Sequence, residues 1–319
     1  MHHYHAFGLK LASSLALPEL SPGAGPADVT IRLVRGVAPP PAAPRWLNGG
    51  GDKVELHLQD MAFTVDGGRL IEIVAPPERG DNDIRVWLLG TVMATLLHQR
   101  GYFPLHANAV MLASGGAAAF SGGSGAGKST MATFLDREGI RVLGDDLCAI
   151  RFEADGRPVI YPGIPRLKLW GETLTLFERG TDGLERVASD LLKYHVPLGS
   201  VAETGSLGAL PLERLYLLGR AEGVGRAEGA GDSLIERLTG AAAAGAVLDN
   251  AFRWGIGQSV AGDQSRLQFD QGLAIARHVA VFRLARRWGR DHFFAEAGAI
   301  AAHLSASLTN SEAAAGVGS

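Results

Sequence analysis

Cys148 is the one cysteine among 319 residues. A lone thiol excludes an internal disulfide framework and fits a reducing compartment. Long apolar runs are missing as well: VWLLGTVMATLL falls short of the ~20 residues that span a bilayer. The opening MHHYHAFGLKLASS has no basic segment ahead of a long apolar core, so no secretory signal is expected. Positive charge is not in surplus. A net charge of −3 speaks against a partner held by phosphate neutralisation, such as nucleic acid. There is no HExxH and no cysteine pair, and His2, His3 and His5 have no partners at ligand spacing, so no metal role falls to them. No repeat of fixed period occurs. What remains is 46% hydrophobic and 20% charged, the composition of a globular protein that buries a sizeable core. A cytoplasmic protein with no membrane partner is the expectation.

The chain divides by pattern. VTIRLVRG, KVELHLQD and MAFTVDG alternate apolar and polar residues as strands do, and APPPAAP (38–44) is a stiff connection. IRVWLLGTVMATLLHQRG has helical spacing and a stop at Gly101. Residues 1–100 therefore read as a mainly-β module closed by a helix. Residues 101–310 read as an α/β core with a mixed sheet, in which strands and helices alternate. LHANAVML, GAAAFS, RVLG, LCAIRF and PLERLYLLGR are strands; KSTMATFLDRE, TGAAAAGAVLDNAFR and AEAGAIAAHLSASL are helices. AEGVGRAEGAGD (221–232) reads as a loop and 311–319 as a frayed tail.

Between the strand AAAF and the helix stands GGSGAGKS, a full G-x-x-x-x-G-K-[ST] match. Glycines let successive backbone N–H groups turn toward one anion, and the helix N-terminus adds partial positive charge. Gly122, Gly123, Ser124, Gly125, Ala126, Gly127, Lys128, Ser129 and Thr130 form the expected cradle for ATP. Lys128 reaches the outer phosphates, and the Ser129 hydroxyl is placed for Mg²⁺. Directly after the strand IRVLG come Asp145 and Asp146. A short helix and a returning strand bring both carboxylates back beside the loop. One can hold the metal and the other can accept a proton from an attacking hydroxyl. His106, on its own, is an ordinary strand-edge histidine.

His106, GGSGAGKS and VLGDD in this order resemble the catalytic core of HPr kinase/phosphorylase, which is related to the phosphoenolpyruvate carboxykinase nucleotide fold. The resemblance covers residues 105–160 well. It implies that Asp145 matches the general-base position, that Asp146 stands with Ser129 at the metal end, and that His106 lies beside the reacting phosphate. It leaves the division of labour between the aspartates open. Thr130 stands where that family usually has Glu, and the family's E-[IV]-R-G-x-G-type segment is absent, with YPGIPRLKLW (161–170) in its place. With the opening YHAFGLKLASSLALPEL, LHANAV and LERLYLLGR, these features resemble a divergent branch found with lasso peptide biosynthesis. That branch phosphorylates the C-terminal serine of a precursor peptide.

PRLKLW suits a strand with one face in solvent; the functional alternative puts Arg166 or Lys168 near the transferred phosphoryl or a peptide carboxylate. Lys193 is a weaker candidate for the same role. FRLARRWGR reads chiefly as a solvated basic face. Cys148 reads as a small buried residue. The expectation is an ATP- and Mg²⁺-dependent kinase acting on a serine hydroxyl of a peptide or small protein, with a lasso precursor ahead of an HPr-type phosphocarrier and self-association left open. Two other classes compete: a nucleotide-responsive binding module without phosphotransfer, and a small-molecule kinase or carboxykinase.

Overall fold

The computed structural model describes residues 1–40, 47–50, 52–198, 207–220, 234–252, 265–286 and 290–307. The glycine-rich loop 221–232 and the tail 311–319 lie outside them, as does most of APPPAAP. The architecture is mixed α/β, with two large sheets that each contain parallel and antiparallel pairs.

The first sheet has eight strands: β1 (His2–Ala6), β2 (Leu9–Ser13), β3 (Ser21–Pro22), β4 (Val29–Arg35), β5 (Leu47–Gly50), β6 (Lys53–Leu58), β7 (Met61–Asp66) and β8 (Leu70–Ala75). Their order is β3-β1-β2-β4-β8-β7-β6-β5. Period-two alternation sends Val54, Leu56, Phe63, Val65, Ile71 and Ile73 to one buried face. The covering helix is three pieces end to end: α1 (Asp81–Trp87), a π-helical turn over Leu88–Val92, and α2 (Met93–Gln99). Ile84, Leu88, Val92, Leu96 and Leu97 are fully buried on it. This apolar cluster does not stop at residue 100, because it takes in Leu147, Ala149, Ile164 and Phe252 from the rest of the chain.

The second sheet begins with β9 (Phe103–Leu105), β10 (Ala107–Met111) and β11 (Ala117–Ser121). It continues through α3 (Lys128–Arg137), β12 (Val142–Gly144), β13 (Cys148–Phe152) and β14 (Pro158–Tyr161). A separate hairpin follows, β15 (Arg166–Trp170) with β16 (Lys193–Pro197), and α4 (Gly171–Leu176) lies within its connection. Then come β17 (Leu210–Arg220), β18 (Ile235–Leu238), α5 (Gly240–Asp249), α6 (Ser265–His278), β19 (Ala280–Arg286) and α7 (Arg290–Ser305). β17 is central and parallel to both β11 and β19. Helices cover both faces, so β11 is buried throughout and apolar up to Ser121. Ala118 and Phe120 pack with α3 and α7, while Ala117 and Ala119 pack with α5 and α6. Parallel strands put their C-terminal ends on one edge, and open α/β sheets bind ligands at that edge.

Two polar anchors tie the first sheet's helix to the rest. Arg85, 6% exposed, donates to Glu19 (2.7 Å), Asn82 (2.6 Å) and Glu185 (2.7 Å). His98, 3% exposed, lies 3.3 Å from the Phe252 carbonyl through Nε2, and Gln268 donates to its Nδ1 at 2.9 Å. This pairing defines a neutral ring with the proton on Nε2. Burial pushes the His98 pKa down to about 4, partly offset by the Phe252 bond, from the 6.5 of an ordinary histidine. The unfolded chain therefore takes up the proton first as pH falls. The stabilisation is full above pH 6.5, declines by up to ~1.4 kcal/mol per pH unit, and levels off below about 4. We predict that His98→Gln flattens the dependence of chemical-denaturation stability on pH between 6.5 and 4, by up to one proton. Equal slopes in variant and wild type would refute this.

Candidate active site

The loop Gly122–Gly127 leaves the C-terminal end of β11 and opens directly into α3. Gly127, at φ +84°, is the N-cap. A side chain there would be strained, and its Cβ would lie 3.2 Å from two nitrogens of Arg286. Lys128 closes over the loop, donating to the carbonyls of Gly122 (2.8 Å) and Gly123 (3.1 Å). Burial lowers its pKa, while Asp146 and Asp145 pull the other way.

After α3 the chain returns through β12 to the aspartate pair. Asp145 is 2% exposed and is held by donors from three elements. Asn108 Nδ2 of β10 lies at 2.9 Å, the Lys168 backbone N–H of β15 at 2.8 Å, and Ser129 Oγ of α3 at 3.1 and 3.3 Å from the two carboxylate oxygens. Burial, reinforced by Asp146, raises the Asp145 pKa. Asp146 faces the other way. Its Oδ2 accepts from Lys168 Nζ at 2.9 Å, and its Oδ1 lies 3.3 Å from His106 Nε2. The Lys168 ammonium holds the Asp146 carboxyl well below its usual range, against burial. Burial opposes the charge on Lys168, but the attraction and hydrogen bond of Asp146 raise its pKa overall. The turn itself is strained. Leu147 N–H donates to the Asp145 carbonyl at 2.9 Å across Asp146 at φ +74°, a positive-φ γ-turn that is rare for a residue with a side chain.

The resemblance placed Asp146 with Ser129 at the metal end. The structure brings Asp145 to Ser129 and turns Asp146 toward His106 and Lys168. Ser129 and Asp145 suit Mg²⁺, which takes one or two hard protein oxygens and fills its shell with phosphate and water. Oxygens on adjacent corners of a Mg²⁺ octahedron lie about 3.0 Å apart, close to the 3.1 Å found here.

Two cavities meet at Asp146. The first, about 490 Å³, is lined by Ser124, Gly125, Gly127–Thr130, the α4 residues Glu172 and Thr173, and Arg286 and Phe293. The second, about 590 Å³, lies toward the α1–α2 helix. His106, Ser124, Asp146, Lys168 and Lys193 line both. Ala126 packs against the apolar cluster beneath the loop.

Arg166 is not at either cavity. Its guanidinium donates to the Pro18 carbonyl and lies 4.0 Å from Glu185. The alternation in PRLKLW does not leave one face in solvent either, since Leu167, Lys168 and Leu169 are all buried. Arg166 and Lys168 share a strand face, but two residues along a strand is about 6.8 Å, so only Lys168 reaches Asp146. The solvated reading of FRLARRWGR fails for its buried members. Phe282 lies in the core, and Arg286 is 8% exposed at the mouth of β19. Its Nε and Nη1 have no hydrogen-bond partner among the described residues, while Phe293 packs on its cationic face at 5.6 Å. Burial lowers its pKa, opposed by Glu296. Asn108 is the other residue that sequence reading passed over. Cys148 is buried and donates to the Ala107 carbonyl, and burial pushes its thiol pKa up.

No protein-family model matches the chain. No curated protein matches it. Among solved structures it is similar to the Hpr(Ser) kinase/phosphatase from Coxiella burnetii, with 11% identity and a TM-score of 0.32, over 63% of this chain and 96% of that one. No helix among the described residues is long and apolar enough to cross a membrane.

Arg286 gives a test of the first cavity as an anion site. A buried guanidinium without a full set of acceptors costs stability until an anion arrives. Arg286→Met is expected to leave the melting temperature of the nucleotide-free protein unchanged or higher. It should weaken Mg·ATP binding about tenfold or more by calorimetry. A loss of stability with full nucleotide affinity would contradict the assignment.

Proposed function

We propose that the chain is a phosphotransferase that binds Mg·ATP in the first cavity and moves the γ-phosphoryl group to a hydroxyl. More particularly, it is a serine kinase acting on a peptide, with a lasso precursor peptide as the favoured acceptor. One observation carries the reading: Lys128, Ser129, Asp145 and Asp146 converge on one sheet edge, with the two carboxylates in different surroundings. Groups of one type held in opposed environments are suited to different tasks.

Backbone N–H groups of Gly122–Gly127 and the start of α3 would receive the phosphates, with Lys128 and Arg286 spreading the charge that develops on transfer. Ser129 and Asp145 would hold Mg²⁺, which when bound neutralises charge on the phosphate oxygens. Asp146 is the carboxylate that reaches the cavities. It stays ionised, and Lys168 and His106 fix its direction. As the acceptor oxygen bonds to the γ-phosphorus and the bond to the β-phosphate oxygen breaks, the hydroxyl proton passes to Asp146 and ADP leaves. The preference for a peptide serine rests on the sequence features quoted above. The position of Asp146 at the junction of two cavities supports a second substrate over a binding module without transfer.

Asp146→Asn is expected to lower the rate of transfer from γ-labelled ATP by about 10²–10⁴-fold, with Mg·ATP affinity changed by no more than a few-fold. Asp145→Asn should instead remove the dependence of ATP binding on Mg²⁺. Turnover intact in Asp146→Asn would move the base elsewhere.

A further inference from the structure

The second cavity adjoins the phosphate cradle at Gly122, Gly123 and Ser124 but extends away from it into different chemistry. Its far wall is built by the helix of the first sheet, through Val86, Trp87, Gly90 and Thr91. Val187, Leu191 and Phe252 add apolar surface, while Lys168, Lys193, Asp249 and Asn250 are polar members of the lining. Neither Lys128, Ser129 nor Arg286 reaches it. At about 590 Å³ it falls in the ~300–1,000 Å³ range of pockets that enclose a small molecule or a few side chains, too small for a folded partner. In-line transfer places the incoming oxygen and the departing ADP on opposite sides of phosphorus. A site with Asp146 on the boundary of two chambers, with Lys128 and Arg286 in one alone and an apolar wall in the other, has that arrangement.

The helix is irregular at this wall. The π-helical turn spans Leu88–Val92, and such turns are frequent at functional sites. Gly90 lies in its middle, where a Cβ would meet nothing within 4 Å and the backbone is free of positive φ. A helix-interior glycine costs about 1 kcal/mol relative to alanine, and no packing contact here requires it. Open space in front of it is what a bound chain would use.

We propose that this second chamber is the acceptor compartment. It takes a short extended segment of peptide, its hydroxyl at Asp146 and an apolar neighbour against Trp87, Val187 and Phe252. The α1–α2 helix is thus a wall of the substrate site and selects the acceptor. This rests on the phosphotransferase reading above.

The test uses the full chain, γ-labelled ATP with Mg²⁺, and a library of short serine peptides varied beside the serine. Gly90→Leu fills the chamber without touching the cradle. It should raise the acceptor KM at least about tenfold, or abolish transfer, while Mg·ATP affinity stays within about twofold. Val187→Trp, from a different element, should do the same, and guards against a folding defect in either variant. In the wild type, peptides with an apolar residue beside the serine should be preferred over those with a charged one. Unchanged acceptor KM in both folded variants would overturn the chamber assignment and leave the kinase reading standing. A wild type that binds Mg·ATP but labels no peptide would sink the kinase reading itself.

Discussion

The buried carboxylate of Asp145 is the contact on which the site's geometry depends. It accepts from Asn108 on β10, Ser129 on α3 and the Lys168 backbone on β15. Three elements distant in sequence are thereby held against one side chain that is 2% exposed. A charge so placed is expensive unless every lone pair has a donor. Three donors offset much of that cost and, in doing so, fix the cradle's helix to the hairpin that carries Lys168. Its neighbour is then constrained from both sides. Asp145 is pinned by hydrogen bonds and Leu147 by the apolar cluster of the first sheet. Asp146 bridges them at φ +74°, which turns its carboxylate away from Ser129. The strain, of order 1–3 kcal/mol for such a conformation, buys opposite orientations for adjacent residues.

Charge points to the ligand class. The first cavity is lined by Lys128, Lys168, Lys193 and Arg286 against Asp146 and Glu172, four cations to two carboxylates. Counting the buried Asp145 beneath it still leaves one positive charge in surplus. The chain as a whole carries −3, so the excess is local. Lys168 is neutralised by Asp146, but Lys128 has carbonyl partners, and Arg286 has buried nitrogens still without acceptors among the described residues. These groups gain most from a polyanion, whose several oxygens can satisfy them together.

The parts of this arrangement legible in the sequence are those written locally. The cradle, the helix after it and the returning strand lie within one short stretch, and their spacing alone returns the aspartate pair to the side of the loop. Which aspartate faces which partner was not legible, because it depends on a γ-turn set by packing from the first sheet. Arg286 was hidden for another reason. Arginines alternating with apolar residues look like a wet strand face, yet β19 lies between β17 and β18 with helices over it. The strand's end, at the ligand edge of a parallel pair, decides its role. Lys168 and Arg166 look equivalent in PRLKLW, and only the placement of the hairpin, fixed by Asp145, tells them apart.

That dependence gives the first sheet a reason to be part of the same body. Its helix buries Leu147 and Ala149, the residues that follow the aspartate pair, in its own apolar cluster. Arg85 on the same helix holds Glu19 and Glu185, and Glu185 stands beside Arg166 at the base of the β15–β16 hairpin. The module therefore supports Asp146 from behind through apolar packing and reaches the Lys168 hairpin through an ion network that is buried at Arg85 and Glu19 and half-exposed at Glu185. Loosening either contact would relax the turn and let Asp146 rotate out of its strained state, with neither the cradle nor the Ser129–Asp145 contact touched. In the proposed reaction, packing remote from the cradle would govern transfer, because Asp146 is held by strain, and strain persists only while the surrounding structure over-determines it.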